Sequence, residues 1–253
     1  MHDTDPDNAV LDQAGACVDV LGRPGFDEQL FTLLQKQLGI EQCMVFAYRG
    51  GARMDCLLYA NPRLPGTARR LAERYVRGQF RDDPNYPRVQ ALLAGDAATA
   101  RPEPMPAEAM PAAYREAFFA RPALVDKLSL RFAGDGLGYY VNLYRGYEEG
   151  PFTESEAAQL STLTPLLACL IRRHYGLIAE AETARGNNRL LTSLSPRERE
   201  LCRLLLQGHT LKSAAREAAI SPATADTLRR RAYRKLEVRS RAELARRYHG
   251  VGR

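Results

Sequence analysis

Two Ser-Pro pairs, Ser195-Pro196 and Ser221-Pro222, constrain this chain more than any other feature of its sequence. A serine side chain accepts the N–H of the helix's first turn, and the fixed φ of proline suits the first helical position, so each pair starts a helix. Glu198, three residues after Ser195, supplies the return bond of a capping box. Gly208 stops that first helix, Thr210 caps a short second one through Ala219, and Ile220 leads into the cap at Ser221. The last sixty residues are therefore confined to short, sharply bounded helices, with a fourth expected from about Ser240.

The helix that begins at Pro222 has two different faces. At 100° per residue Ala225, Leu228, Ala232 and Leu236 share an apolar stripe, while Asp226, Thr227, Arg230 and Arg234 face away. Arg229, Arg230, Arg231, Arg234 and Lys235 have only Asp226 and Glu237 as acidic neighbours on the same helix. Residues 193–253 hold 15 Lys and Arg against 6 Asp and Glu, which leaves 21 against 24 for residues 1–192. A short helix, a tight turn and a helix that is apolar behind and basic in front form a helix-turn-helix, whose last helix enters a major groove and whose cations, Arg231 among them, meet phosphates beside it. Double-stranded DNA is the expected partner.

The string LSPRERELCRLLLQGHTLKSAAREAAISPATADTLRRRAYRKLEVRSRAELARR closely resembles the LuxR-type four-helix DNA-binding domain over residues 194 to about 247. Arg197-Glu198, Gly208, Lys212, Ala215, Ile220-Ser221, Thr224, Lys235-Leu236, Val238 and Arg241 stand at that family's spacings. The resemblance implies base contacts from Asp226, Thr227 and Arg230 and phosphate contacts from Thr210, Lys212, Thr224 and Arg234. Arg230 also stands on its chemistry, since a guanidinium bonds guanine O6 and N7 together. Glu237 replaces a family Gly, and Ala214, Ala218 and Ala219 replace residues that are often Ile, Leu and Gly.

Upstream the pattern is α+β. FDEQLFTLLQKQL, residues 26–38, has helical spacing; CMVFAY and DCLLYA form strands around a hairpin at Arg49-Gly50-Gly51-Ala52. Residues 65–81 are expected to be helical. Pro84 and Pro87 break the stretch from Asp83 to Arg88, and ARPEPMPAEAMP, residues 100–111, is expected as loop. LVDKLSLRF and LGYYVNLYR flank a second hairpin at Gly134-Asp135-Gly136. Thr153 and Glu156 cap a long amphipathic helix that contains Pro165, and its Leu160, Leu163, Leu167, Leu170 and Ile171 offer surface to both the core and a partner. That helix is expected to stop at Gly186-Asn187-Asn188. The divisions are thus an N-terminal extension over 1–25, a sensor and dimerisation domain over 26–179, a linker over 180–192 and the DNA-binding domain over 193–253.

The N-terminal order is similar to the GAF or PAS-like sensor domains found ahead of LuxR-type helices: an antiparallel sheet between helices. Within it, LAERYVRGQFRDDPNYPRV, residues 71–89, is similar to the segment of acyl-homoserine-lactone receptors in which a Tyr and the Asp of an Asp-Pro pair grip the ligand, and Tyr75 and Asp83 are the matching positions. The receptors' pocket tryptophans have no counterpart, because the chain has no Trp; an aromatic, fatty or other small metabolite fits as well as a lactone. Tyr48, Tyr59, Ser129 and Tyr140, all on expected strands, are further ligand-binding candidates because they can point into a sheet–helix cavity.

Other function classes fall away. There is no Gly-rich phosphate loop, HExxH or GxSxG, and the five cysteines form no CxxC pair, so no catalytic residue, metal ligand or cofactor site is expected. No apolar run nears the ~20 residues that a membrane helix needs, and the first ten residues are acidic and polar, so a cytoplasmic protein with no membrane association is expected. The resulting expectation is a DNA-binding transcriptional regulator that senses a small molecule and works as a homodimer. The alternative keeps DNA binding and makes the N-terminal domain a ligand-free module for a protein partner.

Overall fold

Alternating residues on paired strands decide how the larger part of the molecule is layered. The computed structural model describes residues 6–49, 53–93 and 102–249; Gly50, Gly51 and Ala52 of the expected first turn, with Ala100 and Arg101, lie outside them. The chain forms two units, residues 1–176 and 177–253.

The first unit is built on a five-stranded antiparallel sheet in the order β2-β1-β5-β4-β3, from β1 (Gln42–Tyr48), β2 (Met54–Ala60), β3 (Pro104–Pro106), β4 (Leu124–Gly134) and β5 (Leu137–Gly146). Asp135 and Gly136 join β4 to β5, both at positive φ (56° and 75°), the geometry of a tight hairpin whose twist matches its strands. Because side chains alternate, Val45, Leu128, Leu130, Phe132, Val141 and Leu143 line one face. Against it pack α1 (Pro6–Asp19), α2 (Phe26–Leu38) and the start of α6 (Glu154–Thr192), through Ala14, Cys17, Leu30, Leu34, Leu160 and Leu167. The other face carries Phe46, Tyr140 and Tyr144 under α3 (Pro65–Val76), α4 (Tyr86–Leu93) and α5 (Ala112–Arg115), which continues into a π turn, Glu116–Ala120, that buries Phe118 and Phe119.

Several expectations are corrected. The stretch before residue 26 is not a mere extension, since it holds α1, whose Ala14 and Cys17 are buried in the core. Pro87 lies in the first turn of α4 instead of breaking the chain, because that turn needs no N–H from it. Pro104–Pro106 is an edge strand, where proline's missing donor costs no ladder bond, and Ala107–Ala109 is a 3-10 turn. Leu160, Leu163, Leu167, Leu170 and Ile171 all enter the first core, so they leave no second apolar face for a partner. The α6 backbone stays helical to Thr192, through the expected stop and linker. Its capping box is formed: Thr153 N–H donates to Glu156 Oε2 at 2.8 Å and Glu156 N–H to Thr153 Oγ1 at 3.2 Å.

The second unit contains α7 (Pro196–Leu206), α8 (Leu211–Glu217), α9 (Pro222–Lys235) and α10 (Arg241–His249). The three expected caps are present at Ser195, Thr210 and Ser221, the first as a full capping box. Three helix ends share one bond. His209 N–H donates to Leu204 O, Ile220 to Ala215 O and Val238 to Tyr233 O, at 3.1, 2.9 and 2.9 Å. Each bond requires a left-handed residue just before its donor, and these are Gly208, Ala219 (φ 52°) and Glu237 (φ 51°). Only the first is a glycine. Ala219→Gly and Glu237→Gly are each expected to raise unfolding stability by about 0.5–1 kcal/mol in urea titrations, because the left-handed conformation costs an L residue about that much beyond what glycine loses in entropy.

His174, on α6, is buried; its Nδ1 accepts the Gly22 N–H at 3.0 Å and its ring stacks on Phe26 at 3.8 Å. Burial pulls the imidazole down to about 4 from its ordinary 6.5. The unfolded chain therefore takes up a proton near pH 6.5 that the fold refuses until about pH 4, and stability falls as pH falls through that window, by at most about 3 kcal/mol. Urea unfolding at pH 7 and pH 4 should show this loss, and His174→Phe should remove that part of it.

Candidate functional site

On its second face the sheet buries polar groups. β4 contributes Lys127, Ser129 and Arg131, and β5 contributes Tyr140 and Asn142, with Ser129 paired to Asn142 and Arg131 to Tyr140 in the strand register. The centre is Asp83, which follows a 3-10 turn (Gln79–Asp82) and is 2% exposed. Tyr75 of α3 donates its hydroxyl to Asp83 Oδ2 at 2.7 Å, and Tyr114 of α5 does so at 2.9 Å. Lys127 Nζ lies 3.0 and 3.1 Å from the two carboxylate oxygens, the Asn85 N–H donates to Oδ1 at 2.8 Å, and the Tyr140 hydroxyl stands 3.3 Å from Oδ2.

Burial alone would push the Asp83 carboxyl up, but the Lys127 charge, the Asn85 N–H and the Tyr75 hydroxyl together hold it below the usual carboxylate range. Burial pulls Lys127 down, against the pull of Asp83. Burial also pushes Tyr75, Tyr114 and Tyr140 well up, so they remain neutral phenols that donate. The result is a dry carboxylate with strong donors on both oxygens.

Of the expected ligand-binding residues, Tyr75, Asp83, Ser129 and Tyr140 come together here. Tyr48 joins the same buried layer from β1. Tyr59 does not: it lies 46% exposed on the edge strand β2. Tyr75 and Asp83, matched to a pair that grips a ligand, bond each other in this chain. Lys127, Tyr114, Asn85, Arg131 and Asn142 were not anticipated. For Lys127 and Arg131 the signal was the polar row Lys127, Ser129, Arg131 in LVDKLSLRF, which becomes informative once helices cover both sheet faces.

Removing one charge of the buried pair leaves the other uncompensated. Asp83→Asn is expected to cost about 3–5 kcal/mol in denaturant unfolding, whereas the double change Asp83→Asn, Lys127→Met should recover much of that loss. Losses that simply add would show that the two groups do not act as a pair.

In the second unit α9 buries Ala225, Ala232 and Leu236 and half-buries Leu228, as its stripe predicts. Thr210, Lys212, Thr224, Thr227, Arg230, Arg231 and Arg234 are all exposed. The Thr210 and Thr224 side chains are engaged at the helix starts: Thr210 Oγ1 accepts the Ser213 N–H, and Thr224 Oγ1 lies 2.8 Å from Ser221 Oγ. Thr227 donates to the Ala223 carbonyl at 3.0 Å and keeps its lone pairs outward. Among the described residues no carboxylate pairs with Lys212, Arg231 or Arg234.

Three of the anticipated cations pair with carboxylates. Lys235 reaches Glu198 of α7 at 2.6 Å, an acidic neighbour from another helix that counting along α9 alone overlooks. Arg229 bonds Asp226 at 2.6 Å and lies over the Tyr233 ring at 5.7 Å. Asp226 also holds Arg230 at 2.8 Å, and the Arg229 and Arg230 cations keep its carboxyl below the usual range. Its oxygens therefore steer two guanidiniums, in addition to any base that they meet.

Residues 192–248 match the family model of the bacterial regulatory proteins of the luxR family, so α7 to α10 form a LuxR-type helix-turn-helix domain. No curated protein matches the chain. Solved structures with a similar fold include the VqsR LBD domain from Pseudomonas aeruginosa, at 18% identity and a TM-score of 0.48 over 67% of this chain and 98% of that one. SdiA in complex with octanoyl-rac-glycerol matches at 16% identity and 0.48, over 100% and 98%. The N-acylhomoserine lactone dependent LuxR family transcription factor CepR2 from Burkholderia cenocepacia matches at 21% and 0.46, over 68% and 97%. Among the described residues no helix is long and apolar enough to cross a membrane, and no group of His, Cys, Asp and Glu is placed to hold a metal ion.

Proposed function

We propose that this protein is a sequence-specific transcriptional regulator of the cytoplasm, a homodimer whose N-terminal domain binds a small molecule and thereby changes how the C-terminal domains meet DNA. The observation that carries this reading is the exposed row of Thr227, Arg230, Arg231 and Arg234 on α9, within a domain of the luxR family. Arg230 reads a base. Lys212, Arg234, Thr210 and Thr224 hold phosphates, with Arg231 beside them. Dimerisation follows from the half-site logic of groove-reading helices, which pair on sites about one helical turn apart. The buried layer around Asp83 supports the small-molecule part, because it sets neutral phenols and a carboxylate among aromatic rings, the mixture by which proteins orient a small ligand.

Selection of the full chain on random duplexes at two salt concentrations tests the DNA reading, and an enriched palindrome is the expected result. Arg230→Ala should lose about 1–3 kcal/mol at one base position, while Lys212→Ala should weaken all duplexes alike and flatten the salt dependence. Asp226→Ala should strengthen binding to every duplex, by removing an anion, and lower the discrimination at the Arg230 base. Equal losses on all sequences from Arg230→Ala and Lys212→Ala would remove Arg230 as a base reader.

A further inference from the structure

Three buried cations on β4 and β5 differ in how their charge is met. Lys127 has Asp83. Arg145 has Glu156, together with the Leu38 carbonyl at the end of α2. Arg131 is 5% exposed, and among the described residues it has neither a hydrogen bond nor an ion pair. The charges that act on it are Asp83 and Glu103, which attract it, and Arg88, which repels it; Lys127 stands two residues along on the same face. Asp83 is already matched by Lys127, and Glu103 by Arg88 at 3.5 Å. The charge of Arg131 is therefore in surplus, and a guanidinium does not discharge in a protein.

The same layer holds a further unmatched group. Among the described residues the Asn142 Nδ2 is buried without a hydrogen-bond partner, although Asn142 Oδ1 accepts from Ser129 Oγ at 2.8 Å. Asn142 lies beside Ser129 and Tyr140 beside Arg131 in the β4–β5 register, so Arg131 and Asn142 occupy adjacent rows of one face. A guanidinium and an amide NH2 only donate. What these groups lack is an acceptor bearing negative charge.

We propose that this face of the sheet binds a small organic carboxylate, with Arg131 as its counter-ion and the Asn142 amide as a further donor. This assignment rests on the small-molecule reading above and narrows it. A guanidinium fork takes both oxygens of a carboxylate at once, and a site of low dielectric makes that pairing selective for the acid over any neutral derivative. Asp83 cannot play this part: it is itself an anion and its oxygens are occupied.

The test uses the full chain and matched probes: decanoate, phenylacetate and 4-hydroxybenzoate, each against its methyl ester, by thermal unfolding and titration calorimetry at pH 7.5. We expect at least one acid to raise the melting temperature and to bind at least tenfold more tightly than its ester. Arg131→Gln should remove that preference, and Arg131→Lys, which keeps the charge in case the glutamine variant fails to fold, should retain part of it. Esters that bind as well as the acids would overturn the carboxylate assignment and leave the small-molecule reading standing. Binding by neither class would overturn both.

Discussion

The first unit depends on a carboxylate that has been taken out of water. Removing an ion from solvent costs several kcal/mol after relaxation, and the cost is met only where the opposite charge and enough donors converge. Asp83 collects them from five places: Tyr75 on α3, Asn85 beside it in the chain, Tyr114 on α5, Lys127 on β4 and Tyr140 on β5. Tyr75 and Asn85 lie on the same local segment as Asp83, but Tyr114 is 31 residues away and Lys127, on the β4–β5 hairpin with Tyr140, is 44. One residue thus pins the irregular helical layer to the sheet at a single point, which apolar contacts, being non-directional, do not do. The aromatic rings around it, Phe46, Tyr75, Phe80 and Phe118, supply area and exclude water; the carboxylate supplies register.

That arrangement was only half legible in the sequence. Tyr75 and Asp83 stand eight residues apart on one local segment, so a local pattern finds them. Lys127 is 44 residues from Asp83, and nothing local joins the two. The alternation of LVDKLSLRF correctly gives a strand with two unlike faces, yet it cannot say which is wet. A polar row on a strand ordinarily faces solvent, and here helices cover it. Tyr59 illustrates the opposite error: an aromatic residue on a strand suggests a cavity, but β2 is the sheet's edge and leaves the ring half in water. The prolines misled for a similar reason, since Pro87 and Pro104 occupy the two kinds of place, a first helical turn and an edge strand, where proline costs little.

In the second unit more was legible, because caps and stops act within a few residues. Ser195, Thr210 and Ser221 fix where three helices begin, and the bond made after Gly208, Ala219 and Glu237 fixes how three of them end. Long-range electrostatics escaped. Counting charges along α9 missed Glu198, which belongs to α7 and takes Lys235 out of the basic face. It counted Asp226 among the acidic neighbours but not that its place one turn before Arg229 and Arg230 makes it their common anchor.

Arg131 and Arg230 show how surroundings give one side chain two kinds of work. Arg230 keeps 72% of its side chain in solvent, where its pair with Asp226 is weak and exchanges readily for contacts of similar strength. Such a guanidinium is oriented yet free to leave, which suits the base contact proposed for it. Arg131 is buried, and the weak screening there makes any charge it meets count for far more. In the site proposed for it such a guanidinium would discriminate by charge before shape: an acid would restore the balance of the layer, and a neutral molecule of the same outline would not. The chemistry of the side chain is the same in both units, and burial is what separates the two proposed roles.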